Sequence, residues 1–236
     1  MDKSFSPGRS ARLAGFLYLI VILGGAFAEA FVRQRLMVIG DAPATAANLI
    51  AGEQLMRLAF AADVIPLLCN LLIAALFYRI FRVVSREAAA LTAFFMVAGS
   101  AIQAAAMVFH IAPLVVLKGS AAFAAFDEAQ LQSLAYLFMR LHAHGYTIAL
   151  IFFGGFGLSV GYLLLRSSFL PRALGVFMVI AGACYFANSM LHFVAPELSS
   201  IVLLLPVLLG EGSLTLWLIF AGLNEAKWRA QAEGQN

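Results

Sequence analysis

Three long stretches of the sequence, residues 88–117, 141–165 and 173–196, contain no Asp, Glu, Lys or Arg. A helix that crosses a bilayer needs about 20 mostly apolar residues, so each stretch is long enough to span one. The whole chain is 63% hydrophobic and 11% charged, whereas about a quarter of the residues of a soluble domain are charged. The sequence therefore predicts an integral membrane protein whose main partner is the lipid bilayer.

Three further apolar segments are shorter or carry one acidic residue, and with them the number of predicted spans is six. The predicted spans are residues 13–31, 55–79, 88–117, 137–165, 173–195 and 199–223. None of them alternates apolar and polar residues as a barrel strand does. We therefore expect one all-α membrane domain over residues 1–236, a polytopic bundle of six transmembrane helices. Residues 41–57 and 123–134 have helical patterns and predict short interfacial helices on the outer side.

The distribution of basic residues predicts the orientation, because short cytoplasmic loops carry an excess of Lys and Arg. With both termini in the cytoplasm, ten of the fifteen basic residues lie on that side: Lys3, Arg9, Arg12, Arg79, Arg82, Arg86, Arg166, Arg172, Lys227 and Arg229. The other side has five: Arg33, Arg35, Arg57, Lys118 and Arg140. We expect a multi-pass protein of the inner (plasma) membrane with both termini cytoplasmic.

Several common chemistries have no motif in this sequence. It contains no P-loop and no dinucleotide fingerprint, which are the local signatures of nucleotide binding. Gly157-Leu-Ser159-Val-Gly161 has the Gly-x-Ser-x-Gly spacing of serine hydrolases, but Ser159 is predicted toward the cytoplasmic end of its span, away from the histidines, so it is not taken as a nucleophile. It also lacks a basic surface with interleaved aromatic residues, so no nucleic-acid partner is expected. Cys69 and Cys184 both fall in predicted spans and form no CxxC pair.

Ionisable side chains inside a span are costly and mark functional candidates. Asp63 lies in the second predicted span and Glu211 in the sixth, and Asn70 shares a helix face with Asp63. Arg57 begins the second span and Glu29 ends the first. The preferred hypothesis is an outward-facing polar cavity, centred on Asp63 and Glu211 with Arg57 at its mouth, that binds or transports a small or lipid-like ligand. On this hypothesis neither an enzymatic activity nor a cofactor is expected.

The histidines leave two metal hypotheses open, because all four fall toward the outer side. In one, His110, His144, His192 and Asp63 bind zinc in a metal-dependent membrane hydrolase that acts on a lipid-like substrate. Against it, His142 and His144 are two residues apart, about 200° around a helix, so both cannot face one ion. In the other, two histidines bind haem, which would favour histidines at both depths of the membrane. Besides the cavity hypothesis and these metal hypotheses, the sequence also allows a structural or accessory role without a ligand site.

Six segments in chain order resemble one family of bacterial membrane proteins. They are Arg12-Leu-Ala-Gly15 with Tyr18 and Leu19; Thr45-Ala-Ala-Asn48 with Glu53 and Arg57; Asp63; Tyr78-Arg79; Phe169-Leu-Pro171-Arg172-Ala-Leu-Gly175; and Glu211 with Leu216-Trp217-Leu218. The chain resembles the family catalogued as domain of unknown function 4386. The resemblance extends over nearly the whole chain and supports six helices, but it implies no known activity.

Overall fold

The computed structural model of the protein describes residues 6–119 and 121–234, so Lys3 lies outside the described residues. The elements there are all helical: α1 (Pro7–Leu36), α2 (Ala42–Ala51), α3 (Glu53–Phe81), α4 (Arg86–Leu117), α5 (Glu128–Arg166), α6 (Arg172–Val194), α7 (Leu205–Phe220) and α8 (Glu225–Glu233), with short 3₁₀ turns between some of them. Six of these helices, all except α2 and α8, belong to segments that are long and apolar enough to cross a membrane. These are the six candidate spans among the described residues. The predicted all-α class with six spanning helices is confirmed.

The first spanning helix is longer and less regular than predicted. It was expected to end at residue 31, but the helix continues to Leu36 through a π-helical segment, Phe27–Arg33. The charged residues near its end do not stop it because Glu29 and Arg33, four residues apart, form an ion pair on the helix itself. Arg33 is therefore a residue of a spanning helix and not of a loop. Single turns of π-helix within α-helices are frequent at functional sites.

Only one of the two predicted interfacial helices is separate. The side chain of Asp41 accepts a hydrogen bond from the backbone N–H of Ala44 and caps α2, which has Pro43 in its first turn. α2 ends at Ala51, so residues 53–57 belong to α3. The second predicted segment, residues 123–134, is instead largely the beginning of α5, where Asp127 caps the helix by accepting from Gln130 N at 2.8 Å.

Two compact units can be distinguished in the chain. The first comprises the segment ending at Ile20, Leu68–Ser100 and the segment beginning at Thr147. The second comprises Val21–Leu67 and Ala101–Tyr146. The single membrane domain expected from the sequence stays a prediction, and each unit is described by itself.

In the first unit, small residues allow α5 and α6 to pack closely. A Cβ atom on Gly157 would lie 2.9 Å from the Cα of Gly182, and one on Gly161 would lie 2.9 Å from the carbonyl oxygen of Gly175. Glycine stripes of this kind allow membrane helices to approach backbone to backbone. The same unit holds α8, whose Trp228 donates its indole N–H to the carbonyl oxygen of Ile80 at 2.8 Å.

In the second unit, two glycines bring pairs of helices together around the polar residues. A Cβ atom on Gly24 of α1 would lie 2.6 Å from the carbonyl oxygen of Ala62 in α3. On α5, a Cβ atom on Gly145 would lie 2.7 Å from the Cβ of Ala106 in α4. The apolar core of this unit is Ala28, Val32, Leu36, Leu49, Met56, Ala59, Leu114 and Met139. α1 is thus held against α3, and α5 against α4.

Candidate functional site

A buried ion pair joins α1 to α3 in the second unit. Arg33 donates from Nη1 to Oδ2 of Asp63 at 2.5 Å and from Nε to Oε2 of Glu29 at 2.8 Å. The side chains of Arg33 and Asp63 are 6% and 1% exposed, whereas that of Glu29 is 46% exposed. Removing either member of a buried pair leaves an uncompensated charge, so the two side chains depend on each other.

Two histidines lie in the same unit, and a backbone carbonyl fixes the tautomer of each ring. Nε2 of His110 lies 2.9 Å from the carbonyl oxygen of Met56, and Nδ1 of His142 lies 3.0 Å from that of Ala106. A carbonyl oxygen only accepts, so the ring nitrogen that faces it carries the hydrogen. In the neutral imidazole the other nitrogen then has a free lone pair, which is Nδ1 in His110 and Nε2 in His142.

The free atoms of these side chains converge. Asp63, His110 and His142 are all buried, and each offers one ligand atom that lies within 4.8 Å of the other two. Oδ1 of Asp63, Nδ1 of His110 and Nε2 of His142 are buried and have no hydrogen-bond partner among the described residues. A buried polar atom without a partner costs about 1–3 kcal/mol. Three side chains that each carry such an atom, and that each bring one ligand atom within 4.8 Å of the other two, form a candidate metal site. We call them the Asp63–His110–His142 triad.

Aromatic rings and the Arg33 guanidinium surround the triad. The two histidine rings contact each other edge to face, with centroids 5.2 Å apart. Phe60 lies beside His110, with ring centroids 6.1 Å apart, and Tyr146 lies beside His142 at 6.5 Å. The guanidinium of Arg33 stacks over the Tyr146 ring, 5.8 Å from its centroid. Electrostatic interactions between buried groups such as these are stronger than in water.

Glu211, the second centre of the predicted cavity, belongs to the first unit and has a different kind of partner. Its carboxyl group hydrogen-bonds the hydroxyl of Tyr18, with Tyr185 nearby. Tyr18 is 2% exposed and packs edge to face against Phe156. Asn70 is also buried in the first unit. Asp63 and Glu29 therefore belong to the second unit, and Glu211 and Asn70 belong to the first.

Arg57, the predicted mouth residue, takes part in an exposed ion-pair network instead of facing Asp63. Its Nη2 lies 2.9 Å from Oε1 of Glu53, and Lys118 Nζ reaches the same oxygen at 2.7 Å. Of the predicted zinc ligands, Asp63 and His110 come together. His144 and His192 are not members of the metal-ligand group identified among the described residues.

Sequence reasoning missed Arg33 and His142. Arg33 was assigned to a loop because the first helix was expected to end before it, although its spacing of four from Glu29 was a visible signal for a helical ion pair. His142 was judged only by its angle to His144. A better signal was its position on the face of Ala135, Met139 and Ala149, which are all buried and recur at helical spacing.

The helices and the buried triad define a class: a multi-pass helical membrane protein with ionisable side chains inside its spanning segments. The chain belongs to the family described as domain of unknown function (DUF4386), whose family model matches residues 13–222. No curated protein and no solved structure matches the chain.

Proposed function

We propose that the Asp63–His110–His142 triad binds a zinc ion and that the protein is a metal-dependent hydrolase acting within the membrane. The observation that carries the proposal is the convergence of three buried ligand atoms within 4.8 Å of one another. Zinc–nitrogen and zinc–carboxylate bonds are about 2.0–2.2 Å long, so atoms at this spacing can share one ion after a small adjustment.

The donor set favours zinc over magnesium or calcium. Imidazole nitrogens suit zinc and other transition metals, whereas magnesium and calcium prefer oxygen ligands. Metal-bound histidines almost always donate their other ring N–H to a carboxylate, carbonyl or water. His110 and His142 have this arrangement through Met56 and Ala106. Asp63 has the equivalent support from Arg33, which holds Oδ2 and leaves Oδ1 available.

The number of protein ligands supports a catalytic role over a structural one. Structural zinc sites use four protein ligands, whereas catalytic sites use three and keep a position for water or substrate. A zinc ion held by these residues would lower the pKa of a bound water and so supply a nucleophile near neutral pH. A hydrolase with this centre inside spanning helices would act on a lipid-like substrate. The residues predicted for ligand binding or transport, Asp63, Glu211 and Arg57, have different partners: Arg33, Tyr18 and Glu53.

We further propose that the protein resides in the inner (plasma) membrane with both termini cytoplasmic, as the basic residues predict. The triad then lies toward the outer side, together with the connections between α1 and α3 and between α4 and α5. Fusion of a periplasm-active phosphatase after residue 234 or within residues 121–126 tests this orientation. Activity only of the internal fusion supports it, and activity only of the C-terminal fusion reverses it.

The metal proposal is tested by elemental analysis of the detergent-purified protein after incubation with zinc and removal of the excess. We expect about one zinc per chain in the wild type and none in the His110→Ala, His142→Ala double variant. The matched control is His144→Ala, His192→Ala, which removes the two histidines outside the triad and should keep the zinc. Equal zinc in both double variants would refute the site. Preferential retention of iron would instead indicate the other metal for which two histidines and a carboxylate are typical.

A further inference from the structure

We infer that Arg33 is the residue of this centre that stabilises the charge developing on the substrate oxygen, and that the group it receives is the neutral carbonyl of a lipid ester or amide. This inference rests on the proposed function, because it assigns the substrate class of the same site. It starts from the third nitrogen of the guanidinium. Nε and Nη1 are held by Glu29 and Asp63, but the buried Nη2 has no hydrogen-bond partner among the described residues.

The position of Nη2 links it to the triad. The guanidinium is planar and rigid, so the bond from Nη1 to Asp63 also holds Nη2 beside this carboxylate. The Tyr146 ring packs against the face of the guanidinium and restricts its movement. The same ring lies beside His142, so it connects Arg33 with the triad. Arg33 therefore presents one fixed N–H donor group beside the carboxylate of Asp63, which is one of the proposed metal ligands. Such a fixed donor stabilises the oxygen on which charge develops during acyl transfer.

The charge of the cluster favours a neutral scissile group. Arg33 contributes one positive charge, and Asp63 and Glu29 contribute one negative charge each, which leaves a net charge of −1. A divalent cation with one bound hydroxide adds +1, so the loaded centre is neutral. A phosphodiester would bring an additional negative charge into the spanning segments, where unbalanced charge is costly. An ester or amide carbonyl brings none.

The reaction is hydrolysis and needs only water as the co-reactant. The water oxygen bonds to the carbonyl carbon, and the carbonyl oxygen becomes negatively charged next to Nη2 of Arg33. The bond from this carbon to the alcohol oxygen or amine nitrogen then breaks, and a proton that came from the water goes to the departing atom. The products are a fatty acid and an alcohol or an amine.

The experiment compares two probes in the same micelles with zinc-loaded wild-type protein. p-Nitrophenyl palmitate offers a neutral acyl ester, and bis(p-nitrophenyl) phosphate offers an anionic phosphodiester. We expect hydrolysis of the ester, abolished in His110→Ala, His142→Ala, and no hydrolysis of the phosphodiester. Turnover of the phosphodiester alone, or of neither probe while zinc remains bound, would overturn the inference and leave the metal site standing. Absence of bound zinc would overturn the proposed function itself.

A second measurement tests the role of Arg33. Arg33→Lys keeps a positive charge beside Asp63 but lacks the planar second nitrogen, so kcat for the ester should fall by about 100- to 1,000-fold. Zinc content and KM should stay close to the wild-type values. If Arg33 had only a structural role, zinc content would fall together with kcat. Arg35→Lys, an exposed position of the same helix, is the matched control. Unchanged kcat in a zinc-loaded Arg33→Lys protein would refute the role, and the wild-type probe comparison decides the substrate class even if this variant does not fold.

Discussion

Asp63 in the second unit and Glu211 in the first are both acidic residues of spanning helices, yet their surroundings differ. Asp63 has a buried cation as partner and lies beside two histidines, each with one ligand atom within 4.8 Å of one of its own. Glu211 has a tyrosine hydroxyl as its hydrogen-bond partner. The partner of Asp63 is thus a cation, whereas the partner of Glu211 is a neutral hydroxyl. The comparison therefore supports the proposal of a metal site at the Asp63 cluster and not at Glu211.

The largest effect is expected from removing the charge of Asp63. Asp63→Asn leaves Arg33 buried with a single, half-exposed partner, so the free energy of unfolding should fall by about 3–5 kcal/mol. The measurement is an SDS titration of the chelator-treated protein in micelles, which separates this effect from metal binding. Glu211→Gln, which keeps a hydrogen-bonding side chain next to Tyr18, should cost much less. Equal losses in the two variants would remove the distinction between the clusters.

A smaller effect is expected from the close approach that places α1 against α3. Gly24→Ala puts a methyl group within 2.6 Å of the Ala62 carbonyl oxygen, and overpacking of this kind costs about 1–3 kcal/mol. Gly25→Ala is a neighbouring control, since its Cβ would meet only the Tyr146 hydroxyl, at 3.9 Å. Thermal unfolding of both variants in detergent checks the difference. A Gly25 variant as unstable as the Gly24 variant would show that helix flexibility, and not this contact, is responsible.

A further prediction concerns the Glu211 group alone. Tyr18→Phe removes one hydrogen-bonding hydroxyl from a buried site, which should lower stability by about 1 kcal/mol. Zinc content should not change, because Tyr18 is not part of the triad. Elemental analysis together with thermal unfolding checks both statements. Loss of zinc from this variant would contradict the assignment of the metal to the Asp63 cluster only.

The smallest effect is expected from the exposed network of Glu53, Arg57 and Lys118. Surface ion pairs contribute little and are screened by salt, and the Arg57 side chain is 54% exposed. Arg57→Gln should leave stability and zinc content unchanged within error at 150 mM salt. Thermal unfolding in detergent measures the stability of this variant, and elemental analysis measures its zinc content. Loss of zinc here would restore Arg57 to the site that the sequence predicted.

The spanning helices could be predicted because a span is a local property of the sequence: a long apolar run reveals it without any knowledge of neighbours. Asp63 could be singled out for the same reason, as a charge within such a run. Its partner could not, because the pairing with Arg33 joins residues of two different helices and depends on a π-helical continuation of α1. Helical spacing could have placed His142 on the buried face of α5, but it could not show which residues of α3 and α4 lie opposite, because it relates residues of one helix only.

The most direct test of the central claim is X-ray absorption at the zinc edge on the zinc-loaded, detergent-purified protein. We predict a first shell of nitrogen and oxygen at about 2.0–2.1 Å, with outer-shell scattering from two imidazole rings. This scattering should fall to one ring in His142→Ala and stay at two in His144→Ala. A spectrum without imidazole scattering, or one that changes in His144→Ala and not in His142→Ala, would contradict the Asp63–His110–His142 triad as the metal site.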